Sequence, residues 1–540
     1  GGGLMQLVAY GAQDVYLTGD PQITFFKVVY RRHTNFAIEA IGQKFNGSPD
    51  FGRKVSCPIQ RNGDLITKMA LKVELGALTS GSGSSSKIAY TPMLGHALID
   101  NVELDIGGSK IDKQYGDWMN IWYELARNSS HDDGYDEMIG NTSALTTLET
   151  SQPAVSIYIP LQFFCCRNDG LALPLIALQY HDVRVNFEFR TAAQCIVYSG
   201  TAPTSSGGAT FVDTELIVDY IYLDSEERKR FAQASHEYLI EQLQVDQDEA
   251  VSTATEKYRL NFNHPCKALF WAMRLDRYTT GKSFFAYNPN DWDKTRDVAT
   301  KRFVLAVADR TDDDLTVPAS GEATLSLDAT YTSTLIASMW AAIQPVRLID
   351  DEDKNVGATG TIMSMDNILY TTALPWKYAS VPLSTIFADV DAQTSSVVDD
   401  KDVVVYIWNN YALHLNYENN PTSTGILYLN GHDRFEIREG KYFNYVQPYQ
   451  HFSNTPKAGV NVYSFALHPE DHQPSGTCNM SRIDNATLQL AYGIPAGEVT
   501  DDSWSFRSNY VSNDTKTSIY TINYNVLRIM SGMGGMAYSN

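Results

Sequence analysis

The chain has 540 residues, of which 43% are hydrophobic, 11% are aromatic and 19% are charged, and its formal net charge at pH 7 is −21. A single hydrophobic core rarely serves a chain longer than about 250–300 residues, so two or more domains are expected. The acidic balance argues against direct nucleic-acid binding, because phosphate contacts need clustered Lys and Arg. The aromatic content, together with many Ser, Thr, Asn and Gly residues for turns, favours an all-β protein.

The first 36 residues form a Gly-rich, polar arm that leads into an aromatic strand. Their sequence is GGGLMQLVAYGAQDVYLTGDPQITFFKVVYRRHTNF, which contains no catalytic motif. Arg31, Arg32 and His33 break the acidic trend at the end of this arm. Two interpretations stay open for these residues: a solvated strand end or internal salt bridge, or an anchor that attaches the arm to a neighbouring subunit or an underlying protein.

Strand patterns dominate the first half of the chain. Residues 68–75 (KMALKVEL) and 180–189 (YHDVRVNFEF) alternate apolar and polar side chains, the period of a strand with one buried face. Residues 101–112 (NVELDIGGSKID) place Gly107 and Gly108 between two such runs. This pattern predicts a β-hairpin.

Two helices are predicted among these strands. The first begins with Asp117 as its N-cap and carries four apolar side chains on one stripe: Trp118, Ile121, Trp122 and Leu125. The second is predicted over residues 225–242 (SEERKRFAQASHEYLIEQ), with acidic residues in its first turn. Because it follows the strand pattern IVDYIYLD (217–224), we expect a domain junction there.

The second half repeats the order of elements in the first half. The first hairpin is followed by an aromatic helix, by PLQFF, and by a Gly/Pro-rich loop and a strand. A second hairpin is predicted at Asn430 and Gly431, followed by FNYVQPY (443–449), YSFALHP (463–469) and a strand over 482–492. Two β-sandwiches of similar topology are therefore expected. Long polar loops over 79–87, 199–208, 309–314 and 389–402 are predicted to lie at an exposed end.

The sequence offers no catalytic, cofactor-binding or metal-ligating residues, and no enzyme activity is predicted. His468 and His472 are four apart, but Pro469 stands where a zinc-protease helix needs Glu, so loop histidines are predicted. The acidic clusters at 312–314 and 350–353 lack the ligand spacing of a calcium loop. A pair of carboxylates for glycoside hydrolysis stays open, because only their separation in space matters.

Cysteine usage and hydropathy indicate a cytosolic product. No CxxC pair occurs, and buried reduced thiols are predicted for all six cysteines: Cys57, Cys165, Cys166, Cys195, Cys266 and Cys478. No run of about 18 apolar residues is present, and no secretory signal is predicted at the start of the chain.

Four long motifs resemble one known family. They are YLTGDPQITFFKVVYRRHTNF (16–36), IDKQYGDWMNIWYEL (111–125), YIPLQFFCCRNDGLALPLIALQYHDVRVNFEF (158–189) and YNVLRIMSGMGGMAYSN (524–540). With these motifs the chain resembles the major capsid proteins of nucleocytoplasmic large DNA viruses over its whole length. Residues 276–400 match no motif of the family, and insertions are expected there.

The resemblance implies a fold with four segments. It implies an all-β chain of two consecutive eight-stranded jelly-roll β-sandwiches, with few short helices and long exterior loops. The expected segments are a basal arm (1–25), a first jelly roll (26–224), a second jelly roll with large loop insertions (225–523) and a C-terminal tail (524–540).

The resemblance also implies a structural function in a virion. The chain is expected to form homotrimers, pseudo-hexagonal capsomers that contact neighbouring capsomers and tile an icosahedral shell. Minor capsid proteins under the shell are expected partners, with no cofactor, no direct nucleic-acid binding, and apposition to an inner viral membrane without spanning it. Assembly is expected in the host cytoplasm. Four aromatics are predicted for the core, with the trimer interface as the alternative: Trp118, Trp122, Phe163 and Phe164.

A second function from another class stays open at this point. A carbohydrate-binding or carbohydrate-cleaving β-sandwich protein also fits the composition. Such a protein needs exposed Trp or Tyr platforms and a carboxylate pair in one cleft.

Overall fold

A computed structural model gives the fold of both halves of the chain. The residues that it describes are 2–82, 86–146, 149–199, 203, 208–274, 346–349, 377–382, 402–407, 420–456, 459–492 and 512–538. The acidic segments predicted at 309–314 and 350–353, and nearly all of the loop predicted at 389–402, lie outside these residues.

Eight antiparallel strands of the first half form two sheets that enclose one core. The strands are β1 (Phe36–Gln43), β2 (Lys54–Pro58), β3 (Leu65–Leu75), β4 (Ile99–Ile106), β5 (Ser109–Tyr115), β6 (Val155–Pro160), β7 (Val183–Phe189) and β8 (Phe211–Leu223). One sheet has the order β1-β8-β3-β6 and the other the order β2-β7-β4-β5. Each sheet therefore joins strands that are far apart in the sequence.

The second half repeats this arrangement. Its strands are β9 (His236–Val251), β10 (Thr255–Arg259), β11 (Pro265–Arg274), β12 (Thr422–Leu429), β13 (His432–Asp433), β14 (Arg438–Glu439), β15 (Val460–Ser464), β16 (Ala486–Tyr492), β17 (Ser512–Met530) and β18 (Met533–Met536). One sheet has the order β9-β17-β11-β15, and in the other β10-β16-β12 is followed by the short β13 and β14. If β13 and β14 are taken as one interrupted strand and β18 is set aside, both halves have eight strands with the same pairing order. The predicted pair of jelly rolls is confirmed.

Helices are few and short among the described residues. They are α1 (Gly2–Val8), α2 (Asp14–Thr18), α3 (Leu94–Leu98), α4 (Gly116–Ala126), α5 (Asp132–Ile139), α6 (Ser143–Thr146), α7 (Phe164–Arg167), α8 (Ala192–Cys195), α9 (Ser225–Gln233) and α10 (Gln447–His451), which continues a π-helical turn at Tyr442–Val446. Short additional strands are Leu78–Thr79, Lys87–Tyr90, Ser151–Gln152, Leu173–Pro174, Ile196–Ser199, Val346–Ile349, Lys377–Pro382, Asp402–Ile407 and Cys478–Asn479. Within the described ranges no helix is long and apolar enough to cross a membrane.

Local patterns account for several of these elements. In β3 the alternation predicted over residues 68–75 is confirmed, because Met69, Leu71 and Val73 are buried. Gly107 and Gly108 both have positive φ and join β4 to β5. Asn430 and Gly431 do the same between β12 and β13. Both predicted hairpins are therefore confirmed.

Two predicted details are wrong. Asp117 lies inside the first turn of α4, whose N-cap is Tyr115. The second helix ends at Gln233, not at residue 242, because residues 236–242 pair along β17 as part of β9. The segment predicted as a C-terminal tail (524–540) begins within β17, which continues without a break to Met530.

Hydrophobic packing crosses the boundary between the two halves, and one buried cluster contains both Trp118 of the first half and Phe270 of the second. The core of the first sandwich includes Ile240, Leu527 and Ile529 from the second half. The four aromatics predicted for the core are buried within the single chain: Trp118, Trp122, Phe163 and Phe164. All six cysteines are free, and only Cys166 and Cys478 are not fully buried.

Candidate functional site

The aromatic face of α4 packs against the second half of the chain. The ring centroid of Trp118 lies 5.0 Å from that of Phe270 and 5.5 Å from that of Tyr520. Trp122 lies 6.4 Å from Phe270, and the guanidinium of Arg167 lies 4.3 Å from the Trp122 ring. We call the contact between the two halves the inter-half interface.

The start of α4 is fixed at this interface by one acid and one glycine. Asp117 receives a hydrogen bond from Arg190 of the first half at 3.2 Å and one from Arg274 of the second half at 2.6 Å. Burial raises the pKa of the Asp117 carboxyl, but the two guanidinium charges outweigh it and hold the pKa below its usual value. A Cβ on Gly116 would overlap the backbone oxygens of His96 and Ile99.

A buried ionic cluster also joins the halves. Glu241 on β9 lies 2.7 Å from Nζ of Lys267 on β11, and 2.9 Å from Nη1 of Arg167 in the first half. His472 lies 3.6 Å from the same carboxylate. Burial works to raise the pKa of Glu241, but His472, Arg167 and Lys267 together lower it to about 2. The carboxylate therefore stays charged at physiological pH.

Asp112 is a second buried carboxyl at the inter-half interface. It lies on β5, and its oxygens accept hydrogen bonds from the backbone N–H of Leu243 on β9 and from the Gln114 side chain, both at 3.0 Å. Burial raises its pKa to about 6, although these two donors and the charge of Arg167 oppose the rise. Asp112 is therefore the acid at this interface that titrates near neutral pH.

The C-terminal tail folds back onto the first half. β18 pairs with the end of β17, and Tyr180 donates its backbone N–H to the carbonyl of Gly532 at 3.0 Å. Nδ1 of His181 lies 3.1 Å from the nitrogen and 3.0 Å from the oxygen of Gly534. A Cβ on Gly534 would lie 2.8 Å from Leu178. The tail therefore adds a further contact between the halves.

The N-terminal arm, in contrast, is not buried by the described part of the chain. Every described side chain of residues 4–40 is exposed except Asp14, which is half-buried. The exposed side chains include Tyr16 at 94% and Phe26 at 98%. Arg31 and Arg32 form no ion pair with the described residues, so the internal salt bridge considered for this cluster is absent from that part of the chain. Exposed apolar surface of this extent indicates a binding segment.

The histidines and cysteines singled out in the sequence can be placed in the structure. His468 and His472 lie in a loop, as predicted, and no group of three His, Cys, Asp or Glu among the described residues is placed to hold a metal ion. Burial raises the pKa of Cys57, Cys195 and Cys266 to about 12, which keeps these thiols protonated.

An open groove of about 460 Å³ crosses the outer face of β2, β7, β4 and β5. Its two glutamates are Glu103, which lies 3.1 Å from Lys113, and Glu188, which lies 2.8 Å from Lys54. Neither Trp nor Tyr lines this groove. The groove therefore lacks the aromatic platform that the carbohydrate-binding alternative requires.

Local sequence gave no signal for the residues that hold the halves together. Arg167, Glu241, Lys267 and His472 are spread over more than 300 residues and meet only through tertiary folding. The aromatic stripe of α4 did predict a buried face, but not the half against which it packs.

Two sandwiches of identical strand order, joined by buried hydrophobic contacts and extended by an exposed arm, define the double jelly-roll class of capsid proteins. Residues 24–224 match the family model described as major capsid protein N-terminus. Residues 227–535 match the model described as large eukaryotic DNA virus major capsid protein. The chain belongs to this family of viral major capsid proteins.

Relatives of known identity match along their whole length. The chain is 41% identical over 601 residues to Capsid protein 1 of Acanthamoeba polyphaga mimivirus, with all of both chains covered. It is 41% identical over 578 residues to the major capsid protein of Phaeocystis pouchetii virus and 39% identical over 550 residues to that of Paramecium bursaria Chlorella virus 1, again with full coverage.

Solved structures agree with this assignment. The chain is similar to a subunit of the PBCV-1 virus capsid with a TM-score of 0.62 and 33% identity, covering 96% of this chain and 100% of that one. The Faustovirus major capsid protein matches with a TM-score of 0.57 over 96% of this chain and 94% of that one, at 12% identity, which supports the fold alone. The capsid function is therefore supported over the carbohydrate alternative.

Proposed function

We propose that three copies of this chain form a pseudo-hexagonal capsomer, and that such capsomers tile an icosahedral shell. The observation that carries the proposal is the repeated strand order of the two halves. Because each copy presents two similar lobes, a ring of three copies presents six. The hydrophobic contacts between the halves and the buried Glu241 cluster support this role, since they join the two lobes of one copy.

We further propose a division of labour along the chain. Residues 1–25 act as a basal arm, 26–224 and 225–523 as the two jelly rolls, and 524–540 as a tail that ties the halves together. The restriction of each sandwich sheet to strands of one half supports this division. The exposed arm supports a role in contacts beneath the shell, with neighbouring capsomers and minor capsid proteins as its partners.

The remaining parts of the proposal concern chemistry and location. The capsomer acts by assembly without a catalytic step, makes no direct contact with nucleic acid, and lies over an inner viral membrane without crossing it. The net charge of −21 supports the separation from nucleic acid. Synthesis and assembly take place in the host cytoplasm, which the raised thiol pKa values and free cysteines suit.

The molar mass of the purified protein tests the trimer. Multi-angle light scattering at several concentrations is expected to give three times the 60.2 kDa chain mass, independent of concentration. An obligate interface of this kind buries more than about 2,000 Å². A stable monomer over the whole concentration range would contradict the capsomer. If the trimer is found, electron microscopy of assembled shells tests whether the capsomers tile an icosahedral shell.

A further inference from the structure

One outward face of the first sandwich is apolar and partly exposed: Phe36 and Ile38 on β1 are exposed, and Ile217, Ile221 and Leu223 on β8 are half-buried. In the ladder of β1 and β8, Phe36 lies opposite Leu223, Ile38 opposite Ile221, and Gly42 opposite Ile217. Residues directly opposite in an antiparallel ladder point to the same side of the sheet. Phe36 and Ile38 are 53% and 58% exposed, whereas Val218 and Tyr220 on the other side are buried. We call the set Phe36, Ile38, Ile217, Ile221 and Leu223 the β1–β8 face.

The edge of this sheet is also open. β1 pairs with β8 alone among the described strands, so one row of its backbone N–H and C=O groups has no strand partner there. An open edge strand of eight residues, five of them apolar, is a template for pairing with another segment. Natural proteins cover such edges, and no described segment of this chain covers this one.

An acid stands in the middle of the β1–β8 face. Asp219 lies opposite Ala40, between Ile217 and Ile221 along the same side of β8, and is half-buried. It forms no ion pair with any residue in the described ranges. A segment that covers this apolar face must therefore bring a cation to Asp219, since a covered and unpaired carboxylate is unfavourable.

The arm carries a segment with the complementary properties. Residues 21–35 hold Lys27, Arg31 and Arg32 and no acidic residue. The large apolar side chains of this segment are each at least 70% exposed: Ile23, Phe25, Phe26, Val28, Val29 and Tyr30. They are β-branched or aromatic, the types that strands prefer, yet they form no strand in the isolated chain.

The exposed area is that of a protein interface. Aromatic side chains bury about 150–250 Å² each, so the three aromatics of this segment alone offer on the order of 500 Å². A standard interface needs about 800 Å² per partner, and monomers rarely expose more than about 600 Å² in one patch. The aromatics, the three aliphatic side chains and the backbone together reach this size.

We propose that residues 21–32 of one copy bind the β1–β8 face of a second copy. The segment adds its backbone to the open edge of β1 and places Lys27, Arg31 or Arg32 against Asp219. A second copy is the occupant for two reasons. Residues 21–32 and the β1–β8 face adjoin in the sequence, yet neither covers the other within one chain. A basic segment also offsets the repulsion between two copies that each carry a net charge of −21. This inference rests on the proposed self-assembly and names the surface that mediates it.

Photo-cross-linking tests the partner and the surface. A benzophenone side chain replaces Phe26 in unlabelled full-length chain, which is dissociated and reassembled with ¹⁵N-labelled wild-type chain. The expected products join the unlabelled residue-26 peptide to labelled peptides that contain residues 36–42 or 217–223. The same side chain in place of Tyr16 is the control and is expected to give no product with these peptides. Products confined to one copy, or mapping to another surface, would overturn the proposal.

A charge exchange tests the role of Asp219. Asp219→Arg is expected to weaken association between copies about tenfold in a dilution series, because it removes a close interfacial charge pair. Arg31→Asp together with Arg32→Asp in the same chain is expected to restore the wild-type midpoint. Asp484→Arg, at an exposed acid of the second half, makes the same charge change and is expected to leave association unchanged.

The outcomes separate this inference from the proposed function. Wild-type chain that stays monomeric contradicts the capsomer itself. A second outcome is a stable wild-type trimer, with association unaffected by Asp219→Arg and cross-links that map to other surfaces. That result would support the capsomer but contradict the β1–β8 face as the surface that binds the arm. Unchanged melting temperature of each variant verifies that a surface contact, and not the fold, was altered.

Discussion

At the scale of single residues, the buried Asp112 makes stability depend on pH. Its pKa is about 6 in the folded chain, against an ordinary value of 3.8. Between these two values the folded state holds more protons than the unfolded state, so stability falls as pH rises through this window. Lowering the pH from 7 to 5 is therefore expected to raise the free energy of unfolding by about 1 kcal/mol through Asp112. Urea denaturation at the two pH values measures this change.

Asp112→Asn is the matched variant. Asn keeps an acceptor for the Leu243 N–H but has no proton to exchange. The difference in unfolding free energy between wild type and variant is expected to change between pH 7 and pH 5, while the histidines and exposed acids contribute equally to both. Two parallel pH profiles would show that Asp112 is not the titrating group.

The Glu241 cluster allows buried and exposed ion pairs to be compared in one molecule. Lys267→Met is expected to lower the unfolding free energy by about 3 kcal/mol. It removes a cation whose side chain is only 1% exposed, and the buried Glu241 carboxylate loses one of the positive charges that stabilise it. Arg528→Met removes a cation from an exposed pair with Glu237 and is expected to cost less than about 1 kcal/mol. Equal losses in urea denaturation would mean that the cluster is not effectively buried.

At the scale of elements, two glycines in neighbouring helices should respond in opposite ways to the same change. Gly116→Ala places a methyl group against the backbone oxygens of His96 and Ile99, which cannot rotate away, and a loss of about 3 kcal/mol is expected. Gly134→Ala in α5 meets no atom within 4 Å and is expected to add about 0.5–1 kcal/mol through helix propensity. Thermal denaturation of both variants measures this contrast, and destabilisation by both would contradict it.

The elements also show what sequence could predict. The hairpins at Gly107 and Asn430 follow from turn chemistry within four residues, and both were predicted correctly. The overrun of α9 has the opposite origin, since residues 236–242 tolerate helix locally and become strand only by pairing with β17, almost 300 residues later. The ionic cluster at Glu241 was unpredictable for the same reason, because its members share no local pattern.

At the scale of the whole molecule, the shared core divides the chain into a rigid body and an exposed arm. Ile240, Leu527 and Ile529 complete the first sandwich from the second half, and the tail adds a further contact through His181. The two lobes therefore cannot adjust independently when copies assemble. Adaptation to different neighbours in a shell must come from segments outside this body, and among the described residues the arm is the longest such segment.

Deletion of residues 1–22 separates the two roles of the arm. The deletion keeps residues 23–32, which hold all the apolar and basic side chains proposed to bind the β1–β8 face, so the trimer is expected to survive at its wild-type mass in light scattering. Shell formation is expected to be impaired, because the deletion removes the exposed apolar side chains of α1 and α2 that we propose bind beneath the capsomer. Electron microscopy of assembly mixtures measures the number of closed shells.

A full-length variant controls for arm length. This variant keeps the full chain length but replaces four exposed apolar side chains with Ser: Leu4→Ser, Leu7→Ser, Tyr16→Ser and Leu17→Ser. It is expected to form an intact trimer and to lose shell formation, as the deletion does. If this variant forms shells as the wild type does while the deletion does not, the defect comes from the shorter arm and not from the loss of apolar contacts. A deletion variant whose trimer dissociates would instead show that residues 1–22 hold the capsomer itself together, which contradicts a role confined to contacts between capsomers.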